Sequence, residues 1–301
     1  MTEFIFPASI EDAIQCLGAY NGEAQIIAGG TDVMADIRKG KIRPRCLVDI
    51  TRIPGLDRIE VSEGFVEVGA AVTFAAIKNA PFLEQHVHAL VDAARSVGAI
   101  GIQCAATWVG NIVQAMPAAD GAIVALALEA EAQVMDAHGA CWRSVESLFK
   151  GPGVSAIDPR RQLITHVRFP WPPSSTSSSA STSTGWGTAW KRVGRRSSLV
   201  LPILNCAVTL CLDGADLISR ATIALGPVAP RPFRAWEAEA FLVGRPPTTE
   251  VFEQAGRTAR EASNPRSSVM RASKGYRLAI IPRLVSDALA VAYERAGRSK
   301  E

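Results

Sequence analysis

The chain has 301 residues and lacks any uninterrupted apolar run long enough to span a membrane, although 48% of its residues are hydrophobic. Its start, Met1-Thr2-Glu3, lacks the basic and then apolar segments of a secretory signal. The net charge is only +3, and Lys and Arg are balanced by Asp and Glu along most of the sequence. We therefore expect a soluble, cytoplasmic, globular protein without a membrane span and without a basic face for nucleic acid.

Patterns of metal ligands are missing as well. The four histidines do not cluster, and His86 and His88 lie two apart on a predicted helix, so they cannot share a face. No C-x-x-C pair occurs, which predicts reduced core thiols and no metal site. The six cysteines are Cys16, Cys46, Cys104, Cys141, Cys206 and Cys211.

Catalytic side chains are also hard to find. The sequence shows no nucleophile beside a base and no carboxylate pair, so it predicts no catalytic residue of its own. The chemistry must then come from a bound cofactor.

The stretch from Ile26 to Val33 contains the first positive signal. A short apolar run ends in Gly29-Gly30, and Thr31 or Asp32 can cap a helix from Val33 to Lys39. Glycines let backbone N–H groups approach an anion, so this stretch predicts a phosphate-binding turn. An ordinary tight turn is the alternative. The spacing is neither that of the Rossmann fingerprint nor that of the P-loop.

Hydrophobic periodicity predicts an α/β organisation for the first half of the chain. A second glycine-bearing stretch, Gly98 to Ile112, has neither the helical nor the strand period of apolar residues, so we expect a loop. Because its residues are small and few are polar, we also expect close approach to it by a group other than a side chain. The predicted helices are Ser9–Tyr20, Phe74–Lys78, Phe82–Val97 and Ala122–Leu128, and the predicted strands are Ala24–Ala28, Cys46–Ile50, Phe65–Val68, Ala132–Asp136 and Gln162–Phe169.

The second half reads as an antiparallel sheet backed by helices, which makes the whole chain α+β. A low-complexity segment, Ser174 to Thr184, precedes it and predicts a mobile loop. The predicted strands are Trp190–Val193, Ile203–Leu212 and Leu217–Leu225, and the predicted helices are Ala235–Val243, Thr249–Ala262 and Tyr276–Ala296. We expect a two-part domain over 1–172 (subdomains 1–52 and 53–172), a loop over 173–187 and a C-terminal domain over 188–301.

Several motifs in order resemble the FAD-binding medium subunit of the molybdenum hydroxylases, the family of carbon monoxide dehydrogenase and xanthine dehydrogenase. Ala28-Gly29-Gly30-Thr31-Asp32-Val33 resembles its A-G-G-T-D-L loop, and Thr107-Trp108-Val109-Gly110-Asn111 resembles its T-x-G-G-N loop. Pro117-Ala118-Ala119-Asp120, Lys191 to Arg195 and Tyr276-Arg277 are similar to the family's P-A-A-D, K-x-x-x-R and Y-R motifs. The similarity extends over nearly the whole chain.

The resemblance implies a PCMH-type fold that binds extended FAD, with the diphosphate over the first loop and the rest along the second loop and Asp120. Leu163 and Ile164 match positions that border the flavin, although they can also be plain core residues. Lys191 matches a lysine near the ring, although it can also be a solvated strand charge. The cofactor-binding residues implied are Ile27, Ala28, Gly29, Gly30, Thr31, Asp32, Val33, Ala106, Thr107, Val109, Gly110, Asn111, Asp120, Leu163, Ile164 and Lys191.

The sequence departs from the family pattern at the second loop. Val109 replaces the first glycine, and Gln103 and Ala105 replace two arginines. Because valine does not readily adopt a positive φ, a turn that needs one there must be built differently. Ser197 and Ser198 stand where the family often has acids.

The resemblance also implies a function. A large partner subunit holds the molybdopterin cofactor, a small partner carries two [2Fe–2S] clusters, and this chain takes their electrons through FAD to NAD or another acceptor, in a dimer of heterotrimers. Such a chain is an oxidoreductase component. A self-contained flavin reductase or oxidase of related fold, and an assembly subunit that has lost FAD, are the alternatives.

Overall fold

The computed structural model describes residues 2–62, 64–171, 185–196 and 200–298. Its first fifty residues form a small parallel sheet in the order β1-β3-β2 with two helices. Ser9 caps the first helix by accepting the N–H of Asp12 at 3.0 Å, as its spacing predicts. The elements are β1 Glu3–Ile5, α1 Ile10–Ala19, β2 Ala24–Ile27, α2 Val33–Arg38 and β3 Cys46–Asp49.

The next part is an antiparallel sheet in the order β4-β5-β10-β6-β7, with helices inserted between its strands. A separate short pair, β8 and β9, precedes β10. The strands are β4 Ile59–Ser62, β5 Gly64–Gly69, β6 Glu131–Asp136, β7 Gly139–Ser144, β8 Phe149–Gly151, β9 Val154–Ser155 and β10 Leu163–Trp171. The helices are α3 Phe74–Lys78, α4 Pro81–His86, α5 His88–Ser96, α6 Ile100–Ala105, α7 Trp108–Val113 and α8 Asp120–Ala127.

Two predictions for this part are wrong. The single helix Phe82–Val97 is broken at Val87 (φ −124°, ψ 55°), so His86 and His88 lie on different helices. The stretch Gly98 to Ile112 is not a loop, because it contains the two short helices α6 and α7. The sequence also gave no indication of β1, β4 and β7.

The C-terminal half is a four-stranded antiparallel sheet in the order β11-β12-β13-β14, with three helices after it. Its predicted elements are present with shifted ends, and Pro282 lies inside the last helix. The elements are β11 Gly185–Val193, β12 Leu204–Leu212, β13 Ile218–Gly226, β14 Phe233–Arg234, α9 Trp236–Leu242, α10 Thr249–Glu261 and α11 Lys274–Arg298. The α+β class predicted from the sequence is confirmed. The predicted Ser174–Thr184 loop lies outside the described residues.

Helix α8 joins the two halves. All eight of its residues are buried, as expected of a helix without a polar face. One side belongs to the core of the first half, which also takes in Ala207 and Ala224 of the C-terminal sheet. The other face of that sheet packs on α9 and α11, and α10 packs on these two helices. The sheet is therefore covered by helices on both sides.

A buried cluster of charges also bridges the halves. Arg234 and Glu239 form an ion pair of 2.6 Å, and each side chain is under 10% exposed. Glu129, which follows α8, accepts from Arg234 at 3.1 Å and pairs with Arg220. These charges are compensated by one another, so the first half is held to the sheet by a mutually satisfied network.

Cys104 and Cys141 are exposed, so the prediction that all six cysteines are core thiols is wrong for these two. Across the described ranges, no three His, Cys, Asp or Glu side chains come close enough together to hold a metal ion. No helix in those ranges is both long and apolar enough to cross a bilayer.

Candidate cofactor-binding site

A cavity of about 400 Å³ lies where the first sheet meets the following helices and β10. This volume falls within the range of small-molecule sites. Thirteen of the sixteen predicted cofactor residues line it, which are Ala28, Gly29, Gly30, Thr31, Asp32, Val33, Ala106, Thr107, Val109, Gly110, Asn111, Leu163 and Ile164. The fold thus brings together two loops and one strand that are far apart in the sequence.

The first loop connects β2 to α2 and offers unsatisfied backbone donors. Gly30 has φ +69°, a conformation that only glycine adopts readily. In the described part of the chain, the N–H groups from Gly29 to Val33 have no intramolecular acceptor. Asp32 occupies the N-cap position of α2, but its backbone is already helical. Its side chain makes no capping hydrogen bond, contrary to the prediction. These donors face a cavity, which suits an anion such as a diphosphate.

Of the predicted second loop, only the junction Ala106-Thr107 between α6 and α7 is not helical, and we keep the name second loop for this junction. Thr107 caps α7 by accepting the N–H of Gly110 at 3.0 Å. Val109 lies within the first turn of α7 and is not among the residues with positive φ. The turn therefore needs no glycine at position 109, and the valine side chain forms part of the cavity wall.

Glycine is required where the two loops touch. A Cβ placed on Gly29 would lie 1.8 Å from the carbonyl oxygen of Ala105. The neighbouring atoms belong to the backbone, so no rotation of a side chain can relieve that overlap. Gly29 thus lets the loops pack directly against each other, and together they form one continuous wall of the cavity.

Polar contacts hold α7 to the start of α8. Asn111 accepts the N–H of Ala122 at 3.2 Å through Oδ1, and Trp108 donates from Nε1 to the carbonyl of Gly121 at 2.9 Å. A Cβ on Gly121 would come within 2.8 Å of both side chains. These contacts fix the position of the second loop relative to the buried helix α8.

Leu163 and Ile164 reach the cavity from the start of β10. Both are buried, and the pairing of β10 with β6 shifts by one residue between Ile164 and His166. Bulges of this kind change the direction in which side chains point and are frequent beside binding sites. Both residues are core residues and cavity residues at the same time.

Three predicted residues do not line the cavity. Ile27 is buried within β2, and Lys191 lies half-buried on β11 opposite Cys206. Asp120 starts α8 and is also buried, with hydrogen bonds from Asn205 Nδ2 at 2.5 Å and from Ser96 Oγ at 3.4 Å. A direct contact of these three with the cofactor stays a prediction.

Burial raises the pKa of Asp120 to about 6, although the Asn205 amide, the Arg192 charge and the Ser96 hydroxyl oppose that rise. The folded protein therefore binds a proton that the unfolded chain releases near pH 3.8. Its contribution to stability is complete below pH 3.8, declines as the pH rises, and is lost above about pH 6.

We expect Asp120→Asn to remove this pH dependence. Between pH 4 and pH 7 the wild type should lose about 2 kcal/mol of unfolding free energy relative to the variant. Urea unfolding of both proteins at the two pH values measures this difference. A constant difference would show that Asp120 titrates normally.

The sequence missed one wall of the cavity completely. Gly153, Ser155 and Pro159 come from a segment with no regular period, and the Pro159 carbonyl accepts the N–H of Ile26 at 3.0 Å. This contact joins positions far apart in the chain, so local periodicity could not reveal it. The only sequence feature that indicated a turn in this wall of the cavity was Gly151-Pro152-Gly153. The other unpredicted lining residues include Gln25, Asp36, Ile42, Gln114, Ile157 and Gln162.

A parallel sheet whose first loop presents glycine and free N–H groups to a cavity is typical of a protein that binds a nucleotide-type cofactor. Comparison with known families specifies the cofactor. Residues 1–172 match the FAD binding domain in molybdopterin dehydrogenase, and residues 189–292 match the CO dehydrogenase flavoprotein C-terminal domain. The chain belongs to this family of oxidoreductase components, so the resemblance seen in its motifs is confirmed.

Individual relatives agree along the length of the chain. The xanthine dehydrogenase FAD-binding subunit of Escherichia coli O157:H7 is 29% identical over 96% of this chain and 95% of its own. The nicotinate dehydrogenase FAD-subunit of Eubacterium barkeri is 29% identical over 83% of this chain and 82% of its own. A chain of reconstituted CO dehydrogenase from Oligotropha carboxidovorans has 25% identity and a TM-score of 0.88, with 98% of this chain and 99% of that chain covered.

Proposed function

We propose that this chain is the FAD-carrying subunit of a molybdenum hydroxylase complex and passes electrons from [2Fe–2S] clusters of a partner to NAD or another acceptor. The complex would contain a large molybdenum-binding subunit and a small iron–sulfur subunit, as a dimer of heterotrimers. The observation that carries the proposal is the pair of loops joined at Gly29, which presents free N–H groups to a cavity in a chain of this family.

The residues present fit FAD. The N–H groups from Gly29 to Val33 would hold the diphosphate, and the positive φ of Gly30 lets consecutive N–H groups point to the same side. Asp32 and Asp36 are the acids of the lining, so the negative charge of the ligand has to be met by backbone donors rather than by a lysine or arginine of the wall. The apolar side chains of Val109, Leu163 and Ile164 would exclude water from the rest of the cofactor.

FAD supplies the redox chemistry, because a flavin accepts electrons one or two at a time. The chain positions the cofactor and provides its surroundings. Thr107 caps α7 by accepting the N–H of Gly110, and Asn111 joins α7 to α8 by accepting the N–H of Ala122, so this part of the cavity wall is held in place before the cofactor binds. We keep the division between the FAD-binding and C-terminal domains within the predicted segment 173–187, except that Gly185 to Gly187 already belong to β11.

The test is the visible spectrum and the activity of the purified chain. We expect one FAD per chain and no turnover of a hydroxylase substrate by the chain alone, with activity only when the molybdenum and iron–sulfur subunits are added. Independent turnover would favour a self-contained flavin enzyme. A colourless chain that still assembles with partners would favour a subunit that has lost FAD.

A further inference from the structure

Buried polar atoms without a hydrogen-bond partner are concentrated where the first half meets the C-terminal sheet. Four such side-chain atoms occur across the described ranges, and three of them are Trp190 Nε1, Arg192 Nε and Asn205 Oδ1. Trp190 and Arg192 lie two apart on β11, so they share one face of the sheet, and Arg192 is the direct neighbour of Asn205 on β12. Because buried polar groups are normally paired, a cluster of unpaired ones indicates more than a packing contact.

Asp120 is the carboxyl group in this cluster. It is 8% exposed, and its two oxygens face different elements. Oδ1 accepts from Asn205 Nδ2 of β12 at 2.5 Å, and Oδ2 lies 3.4 Å from Ser96 Oγ at the end of α5. Arg192 donates from Nη1 to the carbonyl of Ser96 at 3.1 Å, which keeps its charge close to the same carboxyl group. One acid is therefore enclosed by α5, α8, β11 and β12.

The contact between Ser96 and Asp120 suits both protonation states of the acid. Ser96 has one hydroxyl proton and two acceptors for it, the carbonyl of Ala93 at 2.8 Å and Asp120 Oδ2 at 3.4 Å. When the proton goes to the nearer carbonyl, Ser96 Oγ remains as an acceptor, and a protonated Asp120 can donate to it. Oδ2 can thus gain or lose a proton without a rearrangement of its neighbours.

Two neighbours hold the proton affinity of Asp120 within an exchangeable range. Burial raises the pKa of Asp120 to about 6, while Asn205, Arg192 and Ser96 lower it. An acid of this strength both gives and takes a proton near neutral pH. The other ionisable residues of β11 and of the elements packed against α8 are His88, Asp92, Arg95, Glu146, Lys191, Cys206, Cys211, Arg220 and Arg234. Four of these belong to ion pairs of their own, namely Asp92, Arg95, Arg220 and Arg234.

The cluster is connected to the cavity wall from two sides. Ser96 is followed directly by Val97, which lines the cavity. Asn111, another lining residue, accepts the N–H of Ala122 at 3.2 Å, two residues after Asp120 on α8. Asp120 therefore lies behind residues that form the wall, although its own side chain does not line the cavity.

We propose that Asp120 is the proton-exchanging group of the cofactor site and that Asn205 and Arg192 position it. This inference rests on the proposed function, in which an iron–sulfur partner supplies the electrons. Such clusters deliver electrons without protons, so the proton that reduction requires has to come from the protein or from water. Asp120 is enclosed, connected to the cavity wall and able to hold that proton on Oδ2.

The step balances with one proton for every two electrons. Asp120 gives up the proton on Oδ2, and this proton together with two electrons from the iron–sulfur partner converts FAD to FADH⁻. The Oδ2–H bond breaks, and an N–H bond forms on the flavin. A hydride acceptor such as NAD then removes one proton and two electrons, which restores FAD. Water bound by the unpaired donors of Trp190 and Arg192 would return a proton to Asp120.

The pH profile of cofactor reduction tests the proposal. The FAD-loaded full chain is mixed rapidly with dithionite, and the loss of flavin absorbance gives the rate without any partner or substrate. In the wild type we expect the rate to be highest below about pH 6 and to fall above it, as Asp120 loses its proton. Asp120→Asn keeps the size of the side chain but has no proton to give. We expect its rate to be about a hundred-fold lower at about pH 5 and independent of pH.

Asn205→Ala tests the positioning role. Without the Nδ2 donor the charged carboxylate is less favoured, so the midpoint of the pH profile should move upward by about one unit while the maximum rate is kept. Asp36→Asn is the matched control. Asp36 also lines the cavity, but it is paired with Lys41 at 2.8 Å, and its removal should leave the wild-type profile unchanged.

Infrared spectroscopy detects the proton on Asp120 without any turnover. In the oxidised wild type we expect the carbonyl band of a protonated carboxyl group, which disappears as the pH rises through about 6 and is missing in Asp120→Asn. Reduction of the cofactor should move the midpoint of this band upward, because an added negative charge nearby favours the protonated acid. An unchanged midpoint would show that the proton and the electrons are not coupled.

Equal rates and profiles in Asp120→Asn and the wild type would overturn the proposal. If Asp120→Asn binds no FAD, Asn205→Ala decides, and an unshifted midpoint in that variant would count against the role of Asp120. A purified wild-type chain without FAD would instead contradict the proposed function itself, and the proton-exchange site with it.

Discussion

Gly29→Ala should abolish FAD binding and lower the unfolding free energy by about 3 kcal/mol or more. The added Cβ would lie 1.8 Å from the Ala105 carbonyl oxygen and 2.5 Å from its carbon. Only a movement of backbone can relieve this contact, so the two loops must separate and the cavity wall must open. Urea unfolding and the ratio of flavin to protein absorbance measure the two effects.

Gly101→Ala is the control for this prediction. Gly101 lies in α6, the same helix as Ala105, and a Cβ placed on it would meet nothing within 4 Å. Alanine is favoured over glycine inside a helix by about 1 kcal/mol. The control should therefore be slightly more stable than wild type and retain FAD. Equal behaviour of the two variants would show that the loops do not depend on close contact.

Arg234→Leu should be the most destabilising change in the C-terminal half, with a loss of about 3–5 kcal/mol. Glu239 would remain buried without its ion pair, while its Oε1 still accepts the N–H of Ile223 at 2.9 Å. Glu129 would lose one of its two arginine partners. The measurement is again urea unfolding.

Arg283→Leu provides the comparison, because Arg283 forms an ion pair of similar length with Asp287 but is 81% exposed. Exposed pairs contribute about 0–1 kcal/mol. If both variants lost the same small amount, burial of the Arg234 cluster would not be what makes it important. The double variant Arg234→Leu/Glu239→Leu should recover part of the loss, since it leaves fewer charges buried without a partner.

Local features of the sequence were enough to predict much of the site. The apolar run before Gly29 predicted β2, the glycine pair predicted the turn after it, and the spacing of Ser9 and Asp12 predicted the start of α1. Each depends on residues within a few positions of one another. The antiparallel sheet of the second half followed in the same way from alternating strands.

What the sequence did not predict depends on distant contacts. The apolar periodicity continues without interruption across the junction of α4 and α5, so it does not reveal the break. In the structure, the N–H of Ala89 in α5 donates to Thr188 Oγ1 of β11 at 3.0 Å, a contact between distant positions. The hydrogen bond from Asn205 to Asp120 joins positions 85 residues apart, so no local pattern could predict it.

The most direct measurement of the central claim is FAD bound per chain in Gly30→Val and Gly22→Val. Both glycines have positive φ, +69° and +87°, so valine should strain both turns by a similar amount, about 1–2 kcal/mol. Only Gly30 lines the cavity. We predict that Gly22→Val retains the FAD content of the wild type and that Gly30→Val loses it while remaining folded. Full FAD in folded Gly30→Val would contradict the proposal that this loop holds the diphosphate.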